Sequence, residues 1–139
     1  MNVPKDISTL YRKMQAFLNI QLAPIGLSSG KAMFLFCLYD HESLTQSEIC
    51  KKLDMDKSTV AKMLIRLENE GYITKEINSK DTRSFAVRLT DHARSLVPKA
   101  RKVHDDWVVE ITSDLTDLEK GIFFELLTKV ANSSKKLCD

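Results

Sequence analysis

One short stretch of the sequence, DKSTVAKMLIRLENEGYITKE (residues 56–76), carries side chains whose types and spacing suit contact with an anionic partner. Ser58 and Thr59 supply hydroxyls, and Lys62 and Arg66 supply cations at the four-residue spacing that places them on one side of a helix. Hydroxyl, ammonium and guanidinium groups donate hydrogen bonds to phosphate oxygens and similar acceptors. No acid–base pair or activated nucleophile accompanies them, so we predict a recognition surface rather than a catalytic site.

The rest of the sequence lacks the motifs of enzymes and metal sites. Its three cysteines and three histidines share no CxxC, HExxH or other metal-ligand spacing. No GxSxG is present, and four glycines are too few for a phosphate-cradling loop. We therefore expect a protein that is not an enzyme and that carries neither a metal nor a cofactor.

The composition is that of a globular protein. The 139 residues are 43% hydrophobic and 29% charged, which fits one domain or a compact lobe with helical extensions. No stretch approaches the roughly 18 uncharged apolar residues of a membrane span, and the N-terminus shows no secretory signal. The odd number of cysteines fits a reducing compartment. These features predict a cytoplasmic protein with no membrane partner.

The charge is unevenly distributed along the chain. Residues 57–102 contain eleven Lys/Arg and five Asp/Glu, a net charge of +6, whereas residues 103–139 have a net charge of −4. A local basic field matters more to a polyanion than the whole-chain charge of +2. The middle third is therefore where a polyanion would be attracted.

Two short helices must position the polar side chains. Thr45 and Glu48, in LTQSEICKKL, have the spacing of a capping box, which satisfies free backbone N–H groups at a helix start. This helix should end near Asp54 and Met55, and Asp56 should cap the next one. A short helix, a tight turn and a second helix form a helix-turn-helix.

The second helix has an apolar side and a polar side, and a hairpin follows it. An apolar stripe runs from Val60 to Leu67, while Ser58 and Lys62 point almost directly away from it. Gly71 suits the left-handed position that closes a helix. Strands at 72–77 and 84–90, joined by a turn with a basic tip, complete a winged helix.

Further helices are predicted before the helix-turn-helix and after the hairpin. Apolar spacing indicates an amphipathic helix over residues 7–18, and a helix that is apolar nearly all round, and so deeply buried, over residues 30–40. Thr90 should cap a long helix that Pro98 kinks, and Thr116 should open a final one. The small lobe cannot bury the N-terminal helix and the two C-terminal helices, so we expect these three to pack on their copies in a homodimer.

A helix with a buried back and a free polar side fits the major groove of DNA, which is about 12 Å wide. There Ser58, Thr59 and Lys62 can donate hydrogen bonds to phosphates or base edges. The apolar Ala61 and Ile65 can contact thymine methyl groups. We therefore predict that double-stranded DNA is the partner of this surface.

Residues 44–97 also carry a series of motifs in a fixed order. They are the helix start LTQ-x-E, the helix KSTV, the exit RLE-x-x-GYI, and D-x-R ahead of a strand that ends in LT. As a set, these motifs resemble the MarR family of bacterial transcriptional regulators. The flanking helices fit that family in length and layout but not in sequence.

The resemblance implies a homodimer on a pseudo-palindromic operator, with a ligand crevice between the DNA-binding lobe and the helical dimer interface. It also implies that Asp81 orients the wing and that Arg83 enters the minor groove. Ala61 and Lys62 stand where many members have Ser and Arg, so the operator sequence does not carry over.

Several residues are open to two interpretations. Cys37 and Cys50 are either small buried hydrophobes or thiol sensors of oxidants, and we favour the structural interpretation because a buried thiol is inert. Cys138 lies near the chain end with no assured activating neighbour. Six ring-bearing residues either line a ligand crevice or pack in the core and dimer interface, and packing is favoured. They are Tyr11, Phe17, Phe34, Phe36, His104 and Trp107.

We therefore predict a mainly α fold with a small β-wing. Residues 1–27 form an N-terminal helix of the dimerisation region, residues 28–90 the winged helix-turn-helix lobe, and residues 91–139 the C-terminal dimerisation helices. The predicted function is a homodimeric DNA-binding transcriptional repressor, released by a small molecule or another signal. The alternatives are an oxidant-sensing regulator of the same fold and a winged-helix module for protein interaction. The candidate DNA contacts are Thr45, Gln46, Lys57, Ser58, Thr59, Ala61, Lys62, Ile65, Arg66, Lys80, Asp81, Arg83 and Ser84.

Overall fold

The computed structural model describes residues 1–137 and is mainly helical, with a small antiparallel sheet, as predicted. Its helices are α1 (Val3–Leu22), α2 (Ser29–Tyr39), α3 (Gln46–Leu53), α4 (Lys57–Asn69), α5 (Asp91–Ile111) and α6 (Asp117–Ser134). Its strands are β1 (Leu44–Thr45), β2 (Ile73–Ile77) and β3 (Phe85–Leu89), in the order β1-β3-β2. Among the described residues, none of the individual helices combines the length and the apolar content that a membrane span requires.

The helix-turn-helix forms where the capping signals place it. The Glu48 amide donates to Thr45 Oγ1 at 3.2 Å, and the Thr45 amide donates to Glu48 Oε1 at 3.3 Å, so the predicted capping box opens α3. Asp54 ends α3 in the left-handed conformation, with a φ of 52°. Asp56 then caps α4, as predicted, by accepting a hydrogen bond from the Thr59 amide.

Helix α4 is buried along one side only. Val60, Leu64 and Leu67 are at most 1% exposed, which confirms the apolar stripe. Gly71 follows the helix with a φ of +82°, the left-handed conformation that the sequence predicted for it. The wing hairpin begins at once, because the Tyr72 amide donates back to the Leu67 carbonyl.

The wing is a hairpin, and a short third strand pairs with the middle of its second strand. β2 and β3 pair antiparallel from Ile73 opposite Leu89 to Ile77 opposite Phe85. β1, which the sequence did not predict, pairs only with Ala86 and Val87 on β3. The third strand therefore stops one residue short of Phe85, at the turn end of β3, and Phe85 is 56% exposed although it follows the alternation of Val87 and Leu89.

Helix α2 crosses the core, but it is not buried all round. Ala32, Phe34, Leu35 and Leu38 are at most 1% exposed, whereas Met33 is 43% exposed. The prediction of a deeply buried helix was therefore wrong for one side. An almost uniformly apolar sequence carries no periodic signal to show which side packing will cover.

The corner between α1 and α2 is tied to the winged helix. The Tyr72 hydroxyl donates to the Gly26 carbonyl at 2.8 Å. Lys31, at the start of α2, pairs at 2.6 Å with the exposed Glu70, at the end of α4, and the Lys31 side chain is itself only 14% exposed. These contacts join the segment around the α1–α2 corner to the residues that follow α4.

The chain divides into two compact units, Met1–His104 and a second one that begins at Asp105. Thr90 caps α5 as predicted, since the Ala93 amide donates to Thr90 Oγ1 at 3.2 Å, and the helix continues through Pro98. In the second unit, the predicted capping box of Thr116 and Glu119 opens α6.

Candidate nucleic-acid interface

The polar side of α4 faces outward along its whole length. Ser58, Thr59, Lys62 and Arg66 are exposed, and Ile65 is 53% exposed. Ala61 is half-buried beside them. The predicted recognition side of the helix is thus free to meet a partner, with cations, hydroxyls and one exposed apolar side chain on it.

The hydroxyls at the start of α4 are not free donors. Ser58 Oγ donates to Asp56 Oδ2 at 2.7 Å, and Thr59 Oγ1 donates to Asp56 Oδ1 at 2.6 Å. The Thr59 amide donates to the same carboxylate at 3.1 Å. Hydrogen bonds from the Thr59 and Ser58 side chains and from the Thr59 backbone hold the pKa of Asp56 well below its usual range. Sequence reasoning assigned Asp56 only the role of a helix cap.

The wing turn holds one arginine in a solvent-facing position. The Arg83 amide and Nε both donate to Asp81 Oδ1, at 3.0 and 3.2 Å, while the Arg83 side chain is 90% exposed. Ser84 Oγ donates to the Asp81 carbonyl, and the Asn78 side chain donates to Ser84 Oγ. An exposed ion pair of this kind stabilises the fold by less than about 1 kcal/mol, so its main effect is to orient the guanidinium.

A cleft of about 700 Å³ lies between the helix-turn-helix and the wing. It brings together six of the candidate contacts, namely Thr45, Gln46, Lys57, Asp81, Arg83 and Ser84. The other candidates, namely Ser58, Thr59, Ala61, Lys62, Ile65, Arg66 and Lys80, are not among its lining residues. The candidate set therefore occupies the outer side of α4 and this cleft, with Lys80 apart from both in the turn of the wing.

The cleft also contains polar residues that sequence reasoning missed. Lys75 and Asn78 line it from the wing. Strand alternation was the available signal for Lys75, because it lies opposite Val87, whose side chain belongs to the inner side of the sheet. The Gln46 side chain links the start of α3 to the start of α4, because its Nε2 donates to the Lys57 carbonyl at 3.3 Å.

The cysteines occupy different surroundings. Cys37 is half-buried, and burial raises the pKa of its thiol although Lys52 acts in the opposite direction. A raised pKa favours the structural interpretation, because the thiolate is the reactive form. Cys50 is half-buried and lines the cleft, so its role as a sensor stays a prediction. Cys138 lies outside the described residues.

The aromatic residues do not form a single cluster. Phe34 belongs to the core, at 1% exposure, whereas Tyr11 is 59% exposed on α1. Phe36 contacts the His104 ring edge-to-face, with centroids 4.7 Å apart. The Arg101 guanidinium lies over the Phe36 ring, 5.8 Å from its centroid. The packing interpretation fits Phe34, and no side chain here identifies a ligand class.

Comparison with known proteins gives one consistent family. Residues 27–85 match the model of the MarR family. The crystal structure of a MarR transcriptional regulator from Methanosarcina mazei Go1 is 30% identical, with a TM-score of 0.88 and 97% of each chain covered. An uncharacterized HTH-type transcriptional regulator, YdgJ of Bacillus subtilis, is 26% identical over 78% of this chain and 66% of its own length, just under two thirds. The HTH-type transcriptional repressor YetL of the same organism is 26% identical over 88% of this chain and 72% of its own.

Proposed function

Because the chain belongs to the MarR family of transcriptional regulators and carries its DNA-binding winged helix, we propose that it acts as a homodimeric repressor that binds a pseudo-palindromic operator. One observation carries this proposal. The exposed cations and hydroxyls of α4 stand next to a wing whose exposed Arg83 is oriented by its hydrogen bonds to Asp81. Both lie in the segment 57–102, whose net charge is +6.

The two surfaces suit the two grooves of the duplex. Helix α4 presents Lys62 and Arg66 at the distance of one turn, and Ile65 between them offers an apolar contact for a thymine methyl group. The wing carries the exposed Arg83, and an adjacent narrow minor groove, with its enhanced negative potential, would attract such an arginine. The cleft between them, lined by Gln46 and Lys57, suits the sugar–phosphate backbone.

Exposed apolar surfaces support a dimer. On α1, Ile7 and Ile20 are 55% and 69% exposed. On α6, Ile122, Leu126 and Val130 are 48%, 52% and 59% exposed at four-residue spacing, which forms a continuous apolar ridge. Surfaces of this kind on a soluble chain mark protein–protein interfaces. Two copies of the lobe would then read half-sites about 10 bp apart, or a multiple of that spacing.

Repression and its release complete the proposal. A dimer on a promoter excludes polymerase, and the relative YetL is named a repressor. A small-molecule effector would act by binding one arrangement of the two lobes more tightly than the other, since only differential affinity shifts an equilibrium. We place the protein in the cytoplasm, where its DNA target lies. Residues 28–90 serve as the DNA-binding lobe, and the helices on either side of it serve dimerisation.

Selection of bound fragments from genomic DNA tests this function. We expect the wild-type chain to enrich fragments with an inverted repeat, and anisotropy with one such duplex to give salt-dependent binding. Failure to bind any duplex at low salt would instead favour the protein-interaction module. Release by peroxide that is lost in Cys37→Ser, Cys50→Ser or Cys138→Ser would favour the oxidant sensor.

Arg83→Ala should weaken operator binding about tenfold, because it removes a charge-assisted contact to the DNA. The slope of log affinity against log salt should fall by about 1, since one fewer counterion is released. Arg83→Lys is the matched control, because it keeps the charge but loses the Nε contact to Asp81, and it should keep the slope. Unchanged affinity and slope in folded Arg83→Ala would rule out the wing contact.

Lys62→Ala should change the preference among operator variants, because Lys62 lies on the exposed side of α4 within reach of base edges. Binding to a panel of single-base operator variants measures this preference. Arg66→Ala is the comparison variant, and we expect it to weaken all duplexes alike, as the loss of a backbone contact does. An equally uniform loss for Lys62→Ala would make Lys62 a phosphate contact.

A further inference from the structure

The hydrogen bonds at the start of α4 have a definite polarity. An ionised carboxylate only accepts hydrogen bonds, so the hydroxyls of Ser58 and Thr59, at 2.7 and 2.6 Å from Asp56, are the donors. A hydroxyl has a single hydrogen and two lone pairs, and each hydrogen is engaged by Asp56. Both side chains are exposed, so the groups that they offer to a partner are lone pairs.

This polarity decides which groups of DNA these hydroxyls can meet. Phosphate oxygens only accept hydrogen bonds, so a hydroxyl that donates to Asp56 has nothing to give them. The major groove, however, presents two donors, the N6 amino group of adenine and the N4 amino group of cytosine. Turning either hydroxyl toward a phosphate would first break its short charge-assisted bond to Asp56 and would leave that carboxylate with one donor fewer.

We propose that Asp56 sets the sequence preference of α4 by holding the Ser58 and Thr59 hydroxyls as acceptors that read the amino groups of adenine or cytosine. This inference rests on the proposed function, since it requires α4 to enter the major groove. Beyond the proposed function, it identifies Asp56 as the residue that makes the two hydroxyls acceptors. It also identifies the amino groups of adenine and cytosine as the base groups that such acceptors select. Asp56 acts through its neighbours and is therefore a positioning residue.

Base analogues test the polarity directly. In a duplex selected by the wild-type chain, each adenine is replaced in turn by purine, which lacks the 6-amino group, and each cytosine by 2-pyrimidinone, which lacks the 4-amino group. We expect a loss of roughly fivefold at one or more positions, the size of a single hydrogen bond. That loss should disappear in Ser58→Ala or Thr59→Val, and this comparison separates a lost protein contact from weaker base pairing.

Phosphate contacts would give a different pattern. If the hydroxyls donate to phosphates, no amino-group deletion will depend on Ser58 or Thr59. Instead, replacing one phosphate by a neutral methylphosphonate will weaken wild-type binding, and the effect will disappear in Thr59→Val or Ser58→Ala. That result overturns the inference.

Asp56→Asn tests the positioning residue itself. Asparagine caps helices about as well as aspartate. Its side chain, however, has one oxygen that accepts hydrogen bonds and one NH2 group that donates them. The hydroxyl next to the NH2 group will therefore accept a hydrogen bond from residue 56 instead of donating one. We expect the ratio of affinities for the selected and an unselected duplex to fall about fivefold. Reselection should then favour acceptors, guanine or thymine, at the affected position.

Asp54→Asn is the matched control for the lost charge. Asp54 is exposed two residues earlier, and its left-handed φ of 52° suits asparagine. It should bind all duplexes slightly more tightly and keep the affinity ratio. Equal ratios in Asp56→Asn and Asp54→Asn contradict the inference alone, whereas a wild-type chain that selects no duplex contradicts the proposed function and this inference with it.

Discussion

Leu126→Asp is expected to convert the protein from a dimer to a monomer and to weaken operator binding by about a hundredfold or more. Leu126 lies in the middle of the apolar ridge of α6 and is 52% exposed in the single chain, so a carboxylate there is solvated in the monomer. In a dimer the same carboxylate would be buried without a partner, which strongly disfavours association. Two linked half-site contacts bind about 10² to 10⁴ times more tightly than one, and a monomer loses that gain.

Sedimentation and operator anisotropy on the same samples measure both effects. Asn132→Asp is the control, because it adds the same charge to an exposed position of α6 outside the ridge. It should leave the dimer and its affinity unchanged. A Leu126→Asp protein that sediments as a dimer with undiminished operator affinity would place the subunit interface elsewhere.

Phe34→Ala is expected to lower the free energy of unfolding by about 3–5 kcal/mol. Phe34 is 1% exposed at the centre of the lobe core, so its truncation leaves a cavity among side chains that cannot fully collapse. Domains are commonly stable by only about 5–15 kcal/mol, so this loss would remove a large part of the free energy of unfolding. Urea titrations at one fixed protein concentration measure the change, since dimer formation makes stability depend on concentration.

Phe85→Ala makes the same truncation on a side chain that is 56% exposed. It should change the free energy of unfolding by less than about 1 kcal/mol, because little buried surface is lost. Equal losses in the two variants would mean that Phe34 is not part of the packed core.

Local signals account for the parts of the fold that were predicted correctly. The capping box at Thr45, the cap at Asp56 and the left-handed Gly71 each depend on residues a few positions apart, so spacing alone identifies them. The apolar stripe of α4 is equally local, because it repeats with the helix period. Together these features placed the polar side of α4 on the surface.

Features that depend on distant residues were not predictable in this way. Strand β1 is two residues long and exists only because β3 pairs with it from some forty positions along the chain. The exposure of Met33 depends on which elements pack against α2. Lys75 enters the cleft because of the sheet register. The first two leave no periodic pattern in a single stretch of sequence, and the strand alternation around Lys75 does not show what its side chain meets.

In the candidate site, too, the sequence predicted which residues take part but not the direction of their hydrogen bonds. Residue types identified Ser58 and Thr59 as polar contacts, and the sequence-based expectation was that they donate. The side-chain geometry instead directs both hydroxyls to Asp56. Which group donates and which accepts depends on side-chain rotamers, which the sequence does not state.

The short third strand has a consequence for how this protein can change over evolutionary time. Since β1 supports only Ala86 and Val87, the turn between Ile77 and Phe85 is held by its own hydrogen bonds and not by the core. Insertions and deletions there would alter how far Arg83 extends without disturbing the rest of the domain. The length of the wing turn can therefore change independently of the rest of the fold, and protein engineers can vary it while the scaffold stays constant.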